Sequence, residues 1–142
     1  MALRISTRGR YALRVMIDLA EHNTGAYIPL KEIAGRQDIS EKYLEGIIVT
    51  FSKAGYLIGQ RGKDGGYRLA REPEQYTVGE VLRLVEGDLA PVACLAQEIN
   101  TCPHREECRT IDMWERFKQV TDSFFDGITL SDLCQMPEAL AE

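Results

Sequence analysis

Residues 40–69 read SEKYLEGIIVTFSKAGYLIGQRGKDGGYRL. Ser40 can cap a helix running from Glu41 to Ala54. Leu44, Ile47, Ile48, Phe51 and Ala54 form its apolar stripe, and Glu41, Lys42, Glu45, Thr50 and Lys53 fall on the other side, with Tyr43 and Gly46 beside them. Gly55 stands where a C-cap glycine belongs. Tyr56-Leu57-Ile58 and Tyr67-Arg68-Leu69 then flank an Asp64-Gly65 turn, which predicts a β-hairpin. Arg61 and Lys63 project from its glycine-rich tip, where nothing bulky prevents approach to a nucleic-acid groove.

The chain upstream supplies the partners of this helix. Ser6 or Thr7 can cap a first helix running to about Glu21, with Leu13, Met16, Ile17 and Ala20 on one face. Arg4, Arg8, Arg10 and Arg14 crowd its start, a placement that suits a phosphate at the helix N-terminus. Pro29 opens a short second helix with Leu30, Ile33 and Ala34 inward, and Gln37-Asp38-Ile39 turns tightly into Ser40. A short helix, a tight turn, a longer polar-faced helix and a basic hairpin make a winged helix-turn-helix.

Downstream, Thr77-Val78-Gly79-Glu80 is a capping box, starting a helix that buries Val78, Val81, Leu82 and Val85 and ends at Gly87. Residues 88–109 show no clear periodicity. A helix is predicted from about Thr110 to Phe125, with Trp114, Phe117, Thr121 and Phe124 on one seam, widened by Met113 and Val120. So much aromatic surface in a small protein needs a partner, which predicts a dimerisation helix. Gly127 ends it, and Thr129 caps a short helix through Cys134. Residues 135–142 read as a flexible tail. The fold class is therefore mainly α with a small β-hairpin: a winged helix-turn-helix domain at 1–87, a cysteine-containing sensor loop at 88–109, and a dimerisation helix plus short C-terminal helix at 110–134.

The net charge of −5 conceals an asymmetry: residues 1–71 carry +5 and residues 72–142 carry −10. A basic half can meet phosphates while an acidic half does other work, which points to double-stranded DNA as partner. No apolar run approaches a membrane span, and the start of the chain lacks the apolar block of a secretory signal, so a cytoplasmic protein is expected. In that compartment the four cysteines, Cys94, Cys102, Cys108 and Cys134, read as metal-binding, redox-active or buried rather than disulfide-bonded. There is no phosphate-binding glycine loop, no recognisable catalytic carboxylate pair and no nucleophile with a base. His22 and His104 are the only histidines, and His22 reads as a capping or surface residue. An enzyme is not expected, and the basic wing argues against a protein-binding adaptor.

Ser6-Thr7-Arg8-Gly9-Arg10-Tyr11-Ala12-Leu13, Ile39-Ser40-Glu41-Lys42-Tyr43-Leu44-Glu45, the wing from Arg61 to Leu69 and Thr77-Val78-Gly79-Glu80-Val81, in that order, resemble the bacterial winged-helix regulators that include IscR, NsrR and CymR. The resemblance spans about residues 1–134. It implies a homodimer whose long helices cross, with two recognition helices in successive major grooves. It also implies that Ser40, Tyr43 and Glu45 face bases or phosphates and that Arg61 enters the minor groove. Narrow A·T-rich minor grooves attract arginine, and a glutamate suits the cytosine amino group. Arg10 and Lys63 complete the expected DNA-binding set. Gly46 departs from the long polar residue that some members carry there.

The resemblance further implies that Cys94, Cys102 and Cys108 hold an iron–sulfur cluster, either 2Fe–2S or 4Fe–4S, for which thiolates are suitable ligands. Two usual sources of a fourth ligand are missing: Ile111 replaces a histidine and Arg10 an acidic residue. His104, Glu106, Glu107, Asp112 or a residue of the other subunit remain. A metal-free thiol switch, zinc and simple burial stay open, although the C-x2-C spacing of zinc knuckles is absent. Cys134 is expected to be structural. The function expected is a repressor whose DNA affinity shifts when an oxidant or nitric oxide acts on the cluster. An electron-transfer role is the lesser alternative.

Overall fold

The computed structural model describes residues 4–134, so the tail at 135–142 expected to be flexible lies outside the described residues. Helices α1 (Thr7–Glu21), α2 (Leu30–Gln37) and α3 (Glu41–Lys53) lead into strands β1 (Leu57–Gln60) and β2 (Gly66–Leu69). A 3-10 turn at Pro73–Gln75 precedes α4 (Val78–Glu86), a second at Ala93–Leu95 interrupts the following loop, and α5 (Ile111–Asp126) comes next. Residues 130–134 are helical.

One core joins α1 to α4 with the hairpin. Leu44, Ile47, Ile48 and Phe51 enter it from α3, and Ile33 and Ala34 from α2, as their spacing predicts. On α1 the fully buried set is Ala12, Val15, Met16 and Leu19, while Leu13, Ile17 and Ala20 are only partly buried against the core. The predicted stripe is thus rotated by about one position. Both sets obey helical spacing, and packing against α2 and α4 selects between them. Ala54 is exposed because α3 ends at Lys53, and Gly55 follows with φ +80°. Val85 is half-buried.

The hairpin pairs Leu57 with Leu69 and Gln60 with Gly66. Its turn is not Asp64-Gly65. The Gly65 N–H donates to the Gly62 carbonyl at 3.0 Å, placing Lys63 and Asp64 at the centre. Asp64 lacks the positive φ that a two-residue Asp-Gly turn requires, whereas Gly62 (φ +108°) and Gly66 (φ +149°) bend the chain. Ile28 bridges to Tyr67 with bonds of 2.8 and 2.9 Å, so the segment before α2 becomes a third rung of the wing.

The Thr77 capping box forms: the Glu80 N–H donates to the Thr77 hydroxyl and the Thr77 N–H to the Glu80 carboxylate, both at 3.1 Å. After α5 the chain returns to the first core. Leu130 is fully buried there, its N–H donates to the Tyr76 carbonyl, and the Val78 N–H donates to the Ile128 carbonyl. Arg83 holds α5 against α4 through Asp126, at 2.7 Å, and Asp122, at 3.1 Å. Burial pushes the Asp122 carboxyl up, but hydrogen bonds from Lys118 and Arg83 outweigh it and hold the carboxyl below its usual range. No residue of α5 is buried within the chain.

Candidate nucleic-acid interface and cysteine loop

Ser40 ends the turn after α2 and starts α3. Asp38, in the left-handed region with φ +53°, makes that turn, and the Ile39 N–H donates to the Ala34 carbonyl. The Ser40 hydroxyl accepts from the Tyr43 N–H at 3.2 Å, which ties two of the expected reading residues together. The Tyr43 ring meets Tyr11 of α1 edge-on at 5.7 Å, and the Arg14 guanidinium lies over Tyr11 at 4.9 Å. Ser40 and Tyr43 line a shallow concavity with Arg8, Lys42 and Gly46. Glu45 is exposed one position before Gly46.

Arg61 lines a second concavity, between α3 and the wing, with Val49, Ser52, Lys53, Gly59, Gln60 and Tyr67. Lys63 is exposed at the wing tip and lines neither hollow. Among the described residues neither Lys53, Arg61 nor Lys63 makes an ion pair, so these charges are not neutralised within the chain. Arg10 is exposed on α1, where its guanidinium donates to Thr7 at 3.2 Å.

Other arginines are committed internally. Arg14 donates to the Gln37 side chain, at 3.2 Å, and to the Gln37 carbonyl. Arg68 donates to the Gly25 carbonyl at 2.8 Å and lies over Tyr27. The N-terminus of α1, expected to suit a phosphate, already faces a carboxylate of the chain: Ser6 donates to Glu86 of α4 through its backbone N–H, at 3.0 Å, and its hydroxyl. Eighty residues separate that pair, which is why local reading did not reveal it.

A buried hub sets the pose of the helix-turn-helix. Asp18 of α1, only 2% exposed, accepts from Arg36 at 2.7 and 3.0 Å and from Gln37 at 2.9 Å, both at the end of α2. Burial pushes the Asp18 carboxyl up, but the hydrogen bonds from Arg36 and Gln37 prevail and hold it below the usual carboxylate value. His22, the C-cap of α1, sits beside it with Nδ1 at 2.8 Å from the Asp18 carbonyl.

The cysteine loop is nearly free of regular structure. Cys94 lies in the 3-10 turn, beside the buried Leu95. The Cys102 N–H donates to the Asn100 side chain at 2.9 Å, and the Arg105 N–H to the Cys102 carbonyl at 3.2 Å. The Cys108 sulfur lies 3.5 Å from the Thr110 hydroxyl, and Thr110 is the N-cap residue of α5. Hydrogen bonds from Thr110 lower the Cys108 thiol below its ordinary value. Burial raises the thiol of Cys134, which lies apart at the end of the described residues.

Cys94, Cys102 and Cys108 are all half-buried and provide the soft sulfur donors that iron–sulfur clusters take. Among the described residues, however, no three His, Cys, Asp or Glu side chains stand close enough together to hold a metal ion. The donor chemistry fits, while the loop as folded is not a preassembled site. His104, Glu106, Glu107 and Asp112 are all exposed.

A winged helix-turn-helix whose helix and wing carry unpaired cations defines a helix-turn-helix transcription regulator. Residues 5–136 match the Rrf2 family, described as "Iron-dependent Transcriptional regulator". The chain is 37% identical over 131 residues to protein rrf2 of Nitratidesulfovibrio vulgaris strain Hildenborough, covering 92% of this chain and 87% of that one. Its fold is similar to that of CymR, the global cysteine regulator of B. subtilis, with a TM-score of 0.76, 34% identity and coverage of 94% and 98%. It is also similar to IscR of T. potens, with a TM-score of 0.74, 35% identity and coverage of 99% and 92%. This chain belongs to the Rrf2 family of transcriptional regulators. Its relatives are named as transcriptional regulators, not as enzymes. No helix among the described residues is long and apolar enough to cross a membrane.

Proposed function

We propose that the chain is a cytoplasmic, homodimeric repressor that reads double-stranded DNA with α3 and the wing, and whose affinity is set by the chemical state of the cysteine loop. The observation that carries the coupling is the contact between Cys108 and Thr110: a change at this sulfur adjoins the N-cap of α5. In this reading α5 is the dimer helix, so a shift at its start alters the spacing of the two reading heads. Ser40, Tyr43 and Glu45 enter the major groove, Arg61 enters the minor groove, and Arg10 and Lys63 meet phosphates.

Cys94, Cys102 and Cys108 would hold an iron–sulfur cluster, which supplies a centre sensitive to oxidants and nitric oxide. Protein purified anaerobically should contain iron and sulfide and absorb visible light, and Cys102→Ala should abolish that absorbance. A wild type without iron or absorbance would sink the cluster reading. The second reading, a metal-free thiol switch, is favoured by the lowered Cys108 thiol, since the thiolate is the reactive form. Under it, oxidant should change the DNA affinity of iron-free protein and Cys108→Ser should remove the response.

Arg61→Ala should weaken DNA binding about tenfold and flatten the preference at A·T-rich positions, because it removes a cation from the groove whose width is being read. Binding titrations on A·T-rich and G·C-substituted duplexes measure both effects. Unchanged affinity and preference would exclude the minor-groove role.

A further inference from the structure

The first turn of α1 is electrostatically unfavourable as a local structure. It carries Arg8 and Arg10 and no acidic residue, whereas the positive end of a helix favours a carboxylate. Glu86, the last residue of α4, supplies one from 80 residues away. Its carboxylate accepts from the Ser6 N–H at 3.0 Å and from the Ser6 hydroxyl, and that hydroxyl accepts from the Gly9 N–H at 3.0 Å. Gly9 makes the room for this contact: it is buried, and a Cβ there would run into the Glu86 carboxylate.

The opposite end of α4 is seated in the same manner. Asp126 of α5 lies against Gly79, where a Cβ would again meet the carboxylate, and Arg83 pairs with Asp126 at 2.7 Å. Val81 and Leu82 of α4 are buried between these two ends. The first turn of α1 is tied onward to α3, since Arg8 donates through Nη2 to the Thr50 hydroxyl at 2.9 Å and to the Gly46 carbonyl at 3.4 Å. Arg10, in the same turn, donates to Thr7 at 3.2 Å. Glu86 is thus the polar joint between a helix anchored at its far end and the turn that carries these cations.

We infer that Glu86 is a positioning residue for DNA reading. It touches no DNA; it holds the first turn of α1 so that Arg10 meets a phosphate and Arg8 stays braced against α3. The inference rests on the proposed reading of DNA by α3 and the basic residues around it. A carboxylate beside two arginines could instead act only by repelling the duplex, and the experiment separates the two roles. Glu86→Gln and Glu86→Ala both remove the charge, but only glutamine keeps an oxygen that can accept from Ser6. The difference between them therefore isolates positioning.

The full-length protein and its variants would be titrated over a range of salt concentrations on a duplex that the wild type selects from a randomised library. Glu86→Ala should bind about fivefold more weakly than Glu86→Gln. Its plot of log affinity against log salt should be flatter by about one, the signature of one lost phosphate contact. Glu86→Gln should keep the wild-type slope. Gly9→Ala, whose methyl group displaces the carboxylate, should lose affinity as Glu86→Ala does. The double variant should be no weaker than either single one, because both act on one contact. Equal affinities and slopes for Glu86→Gln and Glu86→Ala, whether raised or lowered relative to wild type, would overturn the inference while leaving DNA reading in place. Additive losses in the double variant would overturn it too. A wild type that selects no duplex overturns the proposed function and this inference with it. Titrations are made at a temperature where circular dichroism shows each variant folded, so that lost stability is not read as lost affinity.

Discussion

Arg36→Ala should lower the unfolding free energy by about 3 kcal/mol at pH 7, the lower end of what removing one partner of a buried ion pair costs. The lower end applies because Arg36 is one-third exposed, whereas Asp18 is 2% exposed. The loss therefore comes from leaving the Asp18 carboxylate buried with Gln37 as its remaining hydrogen-bond donor from α2. It should appear as a drop of roughly 10 °C in the thermal midpoint of a chain this size. The pH dependence distinguishes this cause from lost packing. In the wild type the Asp18 pKa is lowered, so its stabilisation is present above the unfolded value and is lost as pH falls through the folded one. Without Arg36, burial dominates and the folded pKa rises above the unfolded value. The penalty then grows as pH rises through that range and is relieved in acid by protonation. The gap between wild type and variant should narrow from pH 7 to pH 4 in urea denaturation. An equal gap at both pH values would mean that the side chain acts by packing instead.

The second large effect is expected on α5. Val120 is 68% and Phe124 62% exposed in the single chain, although they continue the seam of Trp114 and Phe117. Burying such side chains contributes about 1.5–3 kcal/mol each when complete, so the exposed parts of these two are worth roughly 3 kcal/mol together. Val120→Asp combined with Phe124→Asp removes that contribution and adds the desolvation of two carboxylates. Dimer affinity should fall by more than about a hundredfold. Sedimentation velocity at micromolar concentration should show a species of one chain mass in place of two, with unchanged circular dichroism. DNA affinity should fall as well, because one reading head loses the effective concentration conferred by its mate. A dimer that survives both substitutions would place the interface elsewhere.

What could be read from the sequence was what depends on neighbours along the chain. The Ser40 cap, the Leu44, Ile47, Ile48 and Phe51 positions of the α3 stripe, Gly55 and the Thr77–Glu80 capping box are each set within a few residues, and each lies where its spacing placed it. What escaped depends on partners distant in sequence. The Asp18–Arg36 pair, the Glu86 carboxylate at the start of α1 and the Arg8 hydrogen bond to the Gly46 carbonyl join residues 18, 80 and 38 positions apart. No local periodicity reports them. The hairpin turn was misplaced because several glycines compete for positive φ in that stretch, and the bend uses Gly62 and Gly66. The cysteine loop was the least legible, since its 3-10 turn at Cys94 and the hydrogen bond from the Cys102 N–H to the Asn100 side chain carry no periodicity.

The central claim, a dimer that reads DNA with paired recognition helices and wings, is tested most directly by hydroxyl-radical footprinting of the full-length protein on a duplex it selects from a randomised library. The account predicts two symmetry-related blocks of protection, their centres about one helical turn or a small multiple of it apart. A single asymmetric block, or uniform protection independent of sequence, would contradict it.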